Sequence, residues 1–94
     1  MNNNQDASNK KKPITNDQLS KEIKTIIAKI TKLPIEKILD DSNLFADLGI
    51  ESLAGVEIFA AIDKKYNLNI PEEKVKDVTS VADLVDLIQI MLKQ

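Results

Sequence analysis

Leu19, Ile23, Ile26, Ile27 and Ile30 recur at spacings of four, three, one and three residues, a one-sided apolar stripe that suits a helix packed against one partner. Lys21, Lys24, Lys29 and Lys32 fall off the stripe, where solvent can reach them. Asn16 or Asp17 can cap the start, and the helix is expected to stop near Thr31–Leu33 because Pro34 disfavours helical geometry in the residue before it. Three further segments follow. Helix two is predicted from Ser52 to about Tyr66, with Leu53, Val56, Phe59, Ala60 and Ile62 as a broad apolar face and Glu57, Asp63, Lys64 and Lys65 exposed. A short third helix is predicted near 71–77, where Pro71 suits a helix start, Glu72 and Glu73 favour its N-terminal turn and Val75 faces inward. Thr79 or Ser80 caps a last helix through about Leu92, with Val81, Leu84, Val85, Leu87, Ile88 and Met91 inward. Two glycines, three prolines and 3% aromatics leave little to suggest a sheet. The expected fold is all-α: a small four-helix bundle of three long helices and one short third helix, with a long loop between helices one and two.

That loop runs from Pro34 to Ile50, about 17 residues. Ile35, Ile38, Leu39, Leu44, Phe45 and Leu48 are scattered through it, so it is expected to pack onto the core, and Asp40-Asp41-Ser42-Asn43 signals a turn within it. A connection this long in a compact domain is more often functional than incidental. Residues 1–16 are Asn-, Lys- and Ser-rich without periodicity and are expected to be a disordered tail; residues 17–94 form the domain.

The loop delivers the chain to Asp47-Leu48-Gly49-Ile50-Glu51-Ser52-Leu53, and Ser52 has two readings. It is an ordinary N-cap behind a tight glycine turn, or it is an exposed hydroxyl kept for chemistry. Serine catalysis within the chain is not expected: there is no histidine to act as base, no lysine lies near Ser52 in sequence, and Asp47, Glu51 and Glu57 make a field that opposes an alkoxide. What survives is a serine modified by another enzyme, which brings its own base and metal. Without cysteine there is no disulfide or thiolate metal site, and the Asp40–Asn43 run does not fit a calcium loop. No metal site is expected.

Charge narrows the partners. Residues 36–57 hold six acids, Glu36, Asp40, Asp41, Asp47, Glu51 and Glu57, against Lys37 alone. Such a surface disfavours nucleic acid and steers basic partners toward Ser52, although a solvated polar loop would carry the same charges. No apolar run approaches the roughly 18–20 residues of a membrane span, and the first residues lack the apolar core of a signal peptide. A cytoplasmic protein that engages no membrane is expected.

Asp47-Leu48-Gly49-Ile50-Glu51-Ser52-Leu53, followed by Val56-Glu57, Ile70-Pro71 and Thr79-Ser80-Val81, resembles the acyl carrier proteins over about residues 17–94. The resemblance implies that a phosphopantetheinyl transferase moves 4′-phosphopantetheine from coenzyme A onto Ser52. The arm's thiol then carries acyl groups as thioesters for fatty-acid, polyketide or related pathways. It implies a non-enzymatic monomer that meets acyl-handling enzymes through basic docking patches, recognised by Asp47, Glu51, Leu53, Val56 and Glu57. It also implies an acyl pocket between helices two and three, with Val56, Phe59, Ala60, Leu68, Ile70, Val75 and Val78 as lining; ordinary core is the plainer reading of most of these. Two alternatives stay open: an unmodified regulatory or scaffold module of the same fold, and an aminoacyl or peptidyl carrier. The chain departs from the family in three places. Glu51 stands where Asp is usual, Ala54-Gly55 is small and uncharged, and helix two ends Asp63-Lys64-Lys65-Tyr66 where many fatty-acid carriers are acidic. These departures suggest a specialised pathway with its own partners.

Overall fold

The computed structural model describes residues 14–50 and 52–93. Helix α1 spans Asn16–Thr31, α2 Ser52–Tyr66, α3 Glu72–Val75 and α4 Val81–Leu92, with a 3-10 turn at Ile35–Lys37. Among the described residues there is no strand, only an isolated antiparallel bridge between Asn43 and Ser80. The all-α bundle of three long helices and one short one is the observed architecture. Residues 1–13 of the expected tail lie outside the described residues.

Helix α1 is the centre of the bundle and packs against both α2 and α4. Its buried residues are Leu19, Ile23 and Ile27, three of the five in the expected stripe, and Ile26 and Ile30 pack against the core partly buried. The cap sits one residue earlier than the sequence suggested: Thr15 Oγ1 accepts from Gln18 N at 3.1 Å. Ile14, also within the stretch expected to be tail, packs on the core. Its carbonyl accepts from Gln89 Nε2 at 3.1 Å, and Asn16 Oδ1 accepts from the same nitrogen at 2.7 Å, so α4 holds the start of α1. The helix ends at Lys32, whose φ of 67° and bond to Ala28 O form a left-handed cap before Pro34.

Helix α2 corrects the expected face. Ile58 and Ile62 are its fully buried residues, whereas Leu53, Val56 and Ala60 lie exposed and Phe59 is half-buried. Apolar side chains surround this helix, so its periodicity fits two faces; the inner one is chosen by contact with α1. At its far end the Tyr66 hydroxyl donates to Glu22 Oε1 of α1. Burial, then the Glu22 carboxylate, pushes the phenol well above its ordinary pKa. Asn67, at φ 57°, closes α2, and Leu68 N returns to Asp63 O at 2.9 Å, the bond pattern of a Schellman cap.

Helix α3 is shorter than expected, with Pro71 as its cap residue rather than its first turn; one further turn follows through Asp77 N to Lys74 O and Val78 N to Val75 O. Before α4 a capping box forms: Ser80 Oγ accepts from Asp83 N while Asp83 returns to Ser80 N, both at 3.1 Å. Asp83 also accepts from the Thr79 hydroxyl at 2.8 Å and Thr79 N at 3.2 Å. These bonds, the Thr79 hydroxyl first, hold its carboxyl below the ordinary pKa of 3.8. Leu84, Val81 and Ile88 then complete the core.

Ser80→Ala should lower stability by roughly 0.5–2 kcal/mol in urea denaturation, the usual effect of losing a helix cap. The Asp83 carboxylate stabilises the fold above its ordinary pKa of 3.8, and that contribution is lost as pH falls through the lowered folded value. The melting temperature should therefore drop on acidification below about pH 4. Asp83→Asn should flatten that drop, as read by thermal melts across pH.

Candidate functional site

The long loop reaches Ser52 by folding on itself. Ser42 is buried and its Oγ accepts from Leu39 N at 2.9 Å. Asn43 Oδ1 accepts from Phe45 N at 2.9 Å and Ala46 N at 2.8 Å, while Asp47 Oδ2 accepts from Asn43 N at 2.8 Å. The backbone then closes through Gly49 N to Phe45 O at 3.1 Å and Ile50 N to Leu44 O at 2.8 Å. Gly49 takes φ 64°, a conformation a side chain would strain, and places Ile50 in the core at 3% exposure. Two residues later α2 opens at Ser52.

The same loop is bonded to the far side of the bundle. Ala82 N donates to Asp40 O at 2.9 Å, Val81 N to Ser42 O at 3.1 Å and Leu44 N to Thr79 O at 2.8 Å. Loop carbonyls thus satisfy amides that the first turn of α4 cannot pair within its own helix. Asp40 adds a surface tie, with its Oδ1 2.8 Å from Lys24 Nζ on α1 and 3.3 Å from the Ser20 hydroxyl. The bond and charge of Lys24 hold the Asp40 carboxyl below its ordinary pKa. Its exposure keeps this pair's contribution within about 1 kcal/mol.

Beside α2 runs a groove with a volume of about 440 Å³. Leu44 and Ile50, both buried, contribute from the loop, and Gly55, Val56, Phe59 and Ala60 from α2. Phe45 stands at its edge, half exposed. Ile70 and Val75 line it from the segment around α3, and Asp63 and Glu72 bring carboxylates to it. The structure therefore gathers Val56, Phe59, Ala60, Ile70 and Val75 from the residues suggested for an acyl pocket. Leu68 and Val78 are not in its lining: Val78 is buried in the core and Leu68 packs half-buried against it. The contributions of Leu44, Phe45 and Ile50 were hidden in sequence, since the loop's register is set by its hydrogen bonds. The small pair Ala54-Gly55 was the one visible signal.

Among the residues suggested for recognition, Leu53 and Val56 are 73% and 66% exposed, and Glu57 is exposed beside them. Asp47 is exposed too, but its carboxylate is engaged with Asn43 N. Glu51 lies outside the described residues. Among the described residues no group of three or more acidic side chains is arranged to hold a metal ion.

Residues 21–88 match the family described as the phosphopantetheine attachment site. The chain belongs to the acyl carrier protein family. Its similarity to the acyl carrier protein of Rickettsia bellii (strain RML369-C) is 34% identity over 73 residues, 78% of this chain and 85% of that one. To the acyl carrier protein of Buchnera aphidicola subsp. Baizongia pistaciae it is 37% over 71 residues, 76% of this chain and 91% of that one. It is also 39% identical over 85 residues, 85% of this chain, to the non-reducing polyketide synthase dbaI of Emericella nidulans, of which it spans only 3%. A carrier of this family bears covalent 4′-phosphopantetheine, a terminal thiol on which acyl groups ride as thioesters, and meets a phosphopantetheinyl transferase and acyl-handling enzymes. The first turn of α2 holds no acidic residue, and the start of a helix, with amides unpaired within it, favours an anion such as a phosphodiester.

Gly55 sits inside α2, where glycine is less favourable than alanine by roughly 0.5–1 kcal/mol. Asp47→Ala should cost the carrier about 1 kcal/mol by removing the bond to Asn43 N. In hydrogen-exchange NMR the amides of Asn43, Leu48 and Ile50 should exchange faster, with α1 and the end of α4 unchanged.

Proposed function

We propose that Ser52 is the residue that carries the arm, and that the chain presents acyl thioesters from it without catalysing their chemistry. The observation that carries this reading is the position of Ser52. It is the first residue of a 15-residue helix, it follows directly on a loop closed by its own hydrogen bonds, and the apolar groove starts within one turn of it. Val56, Phe59, Ala60, Ile70 and Val75 form the cargo surface of that groove, with Val78 and Leu68 supporting it from the core side.

The docking face is the outer side of α2. Leu53 and Val56 offer apolar contact there, and Glu57, with Glu51 and the remaining acceptor capacity of Asp47, offers negative charge to a basic rim on partner enzymes. Lys64 and Lys65 are exposed at the opposite end of the helix and reverse the sign of its surface. A partner that fits both ends differs from one built for a uniformly acidic carrier, which supports service in a specialised acyl pathway rather than general fatty-acid synthesis.

Incubation with coenzyme A, Mg²⁺ and a promiscuous phosphopantetheinyl transferase should add the mass of one phosphopantetheine, and Ser52→Ala should abolish the gain. A gain that survives Ser52→Ala, or no gain at all, would sink the assignment. Purified fatty-acid synthase enzymes should turn over the loaded carrier at least several-fold more slowly than their own; equal turnover would remove the specialised reading.

A further inference from the structure

We propose that Gly55 is a specificity-determining residue. By lacking a side chain it keeps the serine-proximal part of the groove open, so that an apolar acyl chain can lie against Ile50. The proposal rests on the reading of this groove as the cargo site.

Neither of the usual reasons for a glycine applies at this position. Its φ is not positive; among the described glycines only Gly49 has that geometry. No neighbour crowds it either, because an added Cβ would meet Ile50 Cγ2 at 3.7 Å, an ordinary contact, and nothing nearer. Alanine would fit and would favour the helix. What the missing side chain does change is the groove that Gly55 lines, where any longer side chain would project over Ile50.

The rest of the lining defines the occupant. Leu44, Ile50 and Phe59 offer no hydrogen-bonding side chain, so a polar group placed against them would lose its water without replacement. Asp63 and Glu72 bring charge to the same groove, and Asp63 Oδ1 is fixed by Ile70 N at 3.2 Å. From Gly55 to Asp63 is eight residues, a rise of about 12 Å along α2. The groove therefore fits a medium-length apolar acyl chain that lies between Gly55 and the two carboxylates.

The test compares octanoyl-loaded wild type, Gly55→Ala, Gly55→Leu and Gly55→Met, each brought to full loading by intact mass. Two quantities are read against the unacylated holo form: the melting temperature and the NMR shift of the Ile50 methyls. Octanoylation should raise the melting temperature of wild type and Gly55→Ala by a few degrees and shift the Ile50 methyls. In Gly55→Leu and Gly55→Met the rise should fall several-fold and the Ile50 response should vanish. The unacylated variants should melt no lower than wild type, because all three residues favour helix over glycine. Gly55→Met, with its flexible side chain, keeps the comparison open if Gly55→Leu fails to fold. A full octanoyl response in either large variant overturns the role of Gly55, and an equal response to an acetoacetyl group overturns the apolar class. A loaded wild type whose Ile50 methyls do not move removes the groove as cargo site. A wild type that never loads is a separate result, visible by mass alone, and defeats the carrier reading itself.

Discussion

The loop between α1 and α2 and the first turn of α4 complete each other's hydrogen bonding. Asp40 O and Ser42 O accept from Ala82 N and Val81 N, and Thr79 O accepts from Leu44 N. A helix start leaves its first amides without partners, and a long irregular segment has the same problem along its length. Here each supplies what the other lacks, and the burial of Ile38, Leu44, Leu48 and Ile50 holds the two together. Peeling the loop away would strand the amides of α4 and expose four apolar side chains at once. The position at which α2 begins is thereby tied to the packing of α4, the helix farthest from this loop in sequence.

Helix α2 does two jobs with one apolar composition. Ile58 and Ile62 belong to the core, Leu53 stays in solvent, and Gly55, Val56, Phe59 and Ala60 line the groove, with Val56 and Ala60 exposed. A purely structural helix would place polar residues outside. Keeping apolar residues there is consistent with surfaces meant to be covered some of the time.

How much of this could be read from the chain differs by element. Leu19, Ile23 and Ile27 were legible because α1 has one apolar side and lysines elsewhere. The start of α4 was legible because Thr79 and Ser80 are preferred cap residues ahead of an apolar run, although the capping box with Asp83 emerged only from the structure. The inward face of α2 was not, since apolar residues all round the helix leave tertiary contact to choose between Ile58 and Val56. Nor was the loop: its shape depends on backbone bonds to residues some forty positions away, and a buried Ser42 has no periodic signature. The motif around Ser52 was plain, whereas Gly55 and Ile50 became groove residues only once the loop's register was known.

The two walls of the groove are held unequally. Its α2 wall is fastened at both ends, by the closed loop before Ser52 and by the Tyr66 hydroxyl on Glu22. Its opposite wall, α3, is four residues long and has no buried residue. Displacing a segment that buries so little takes far less free energy than opening the α1–α4 core. Of the two walls, α3 is therefore the one whose displacement would cost less. The start of α2 is set by the closed loop and by α1, and so does not depend on how the α3 wall stands.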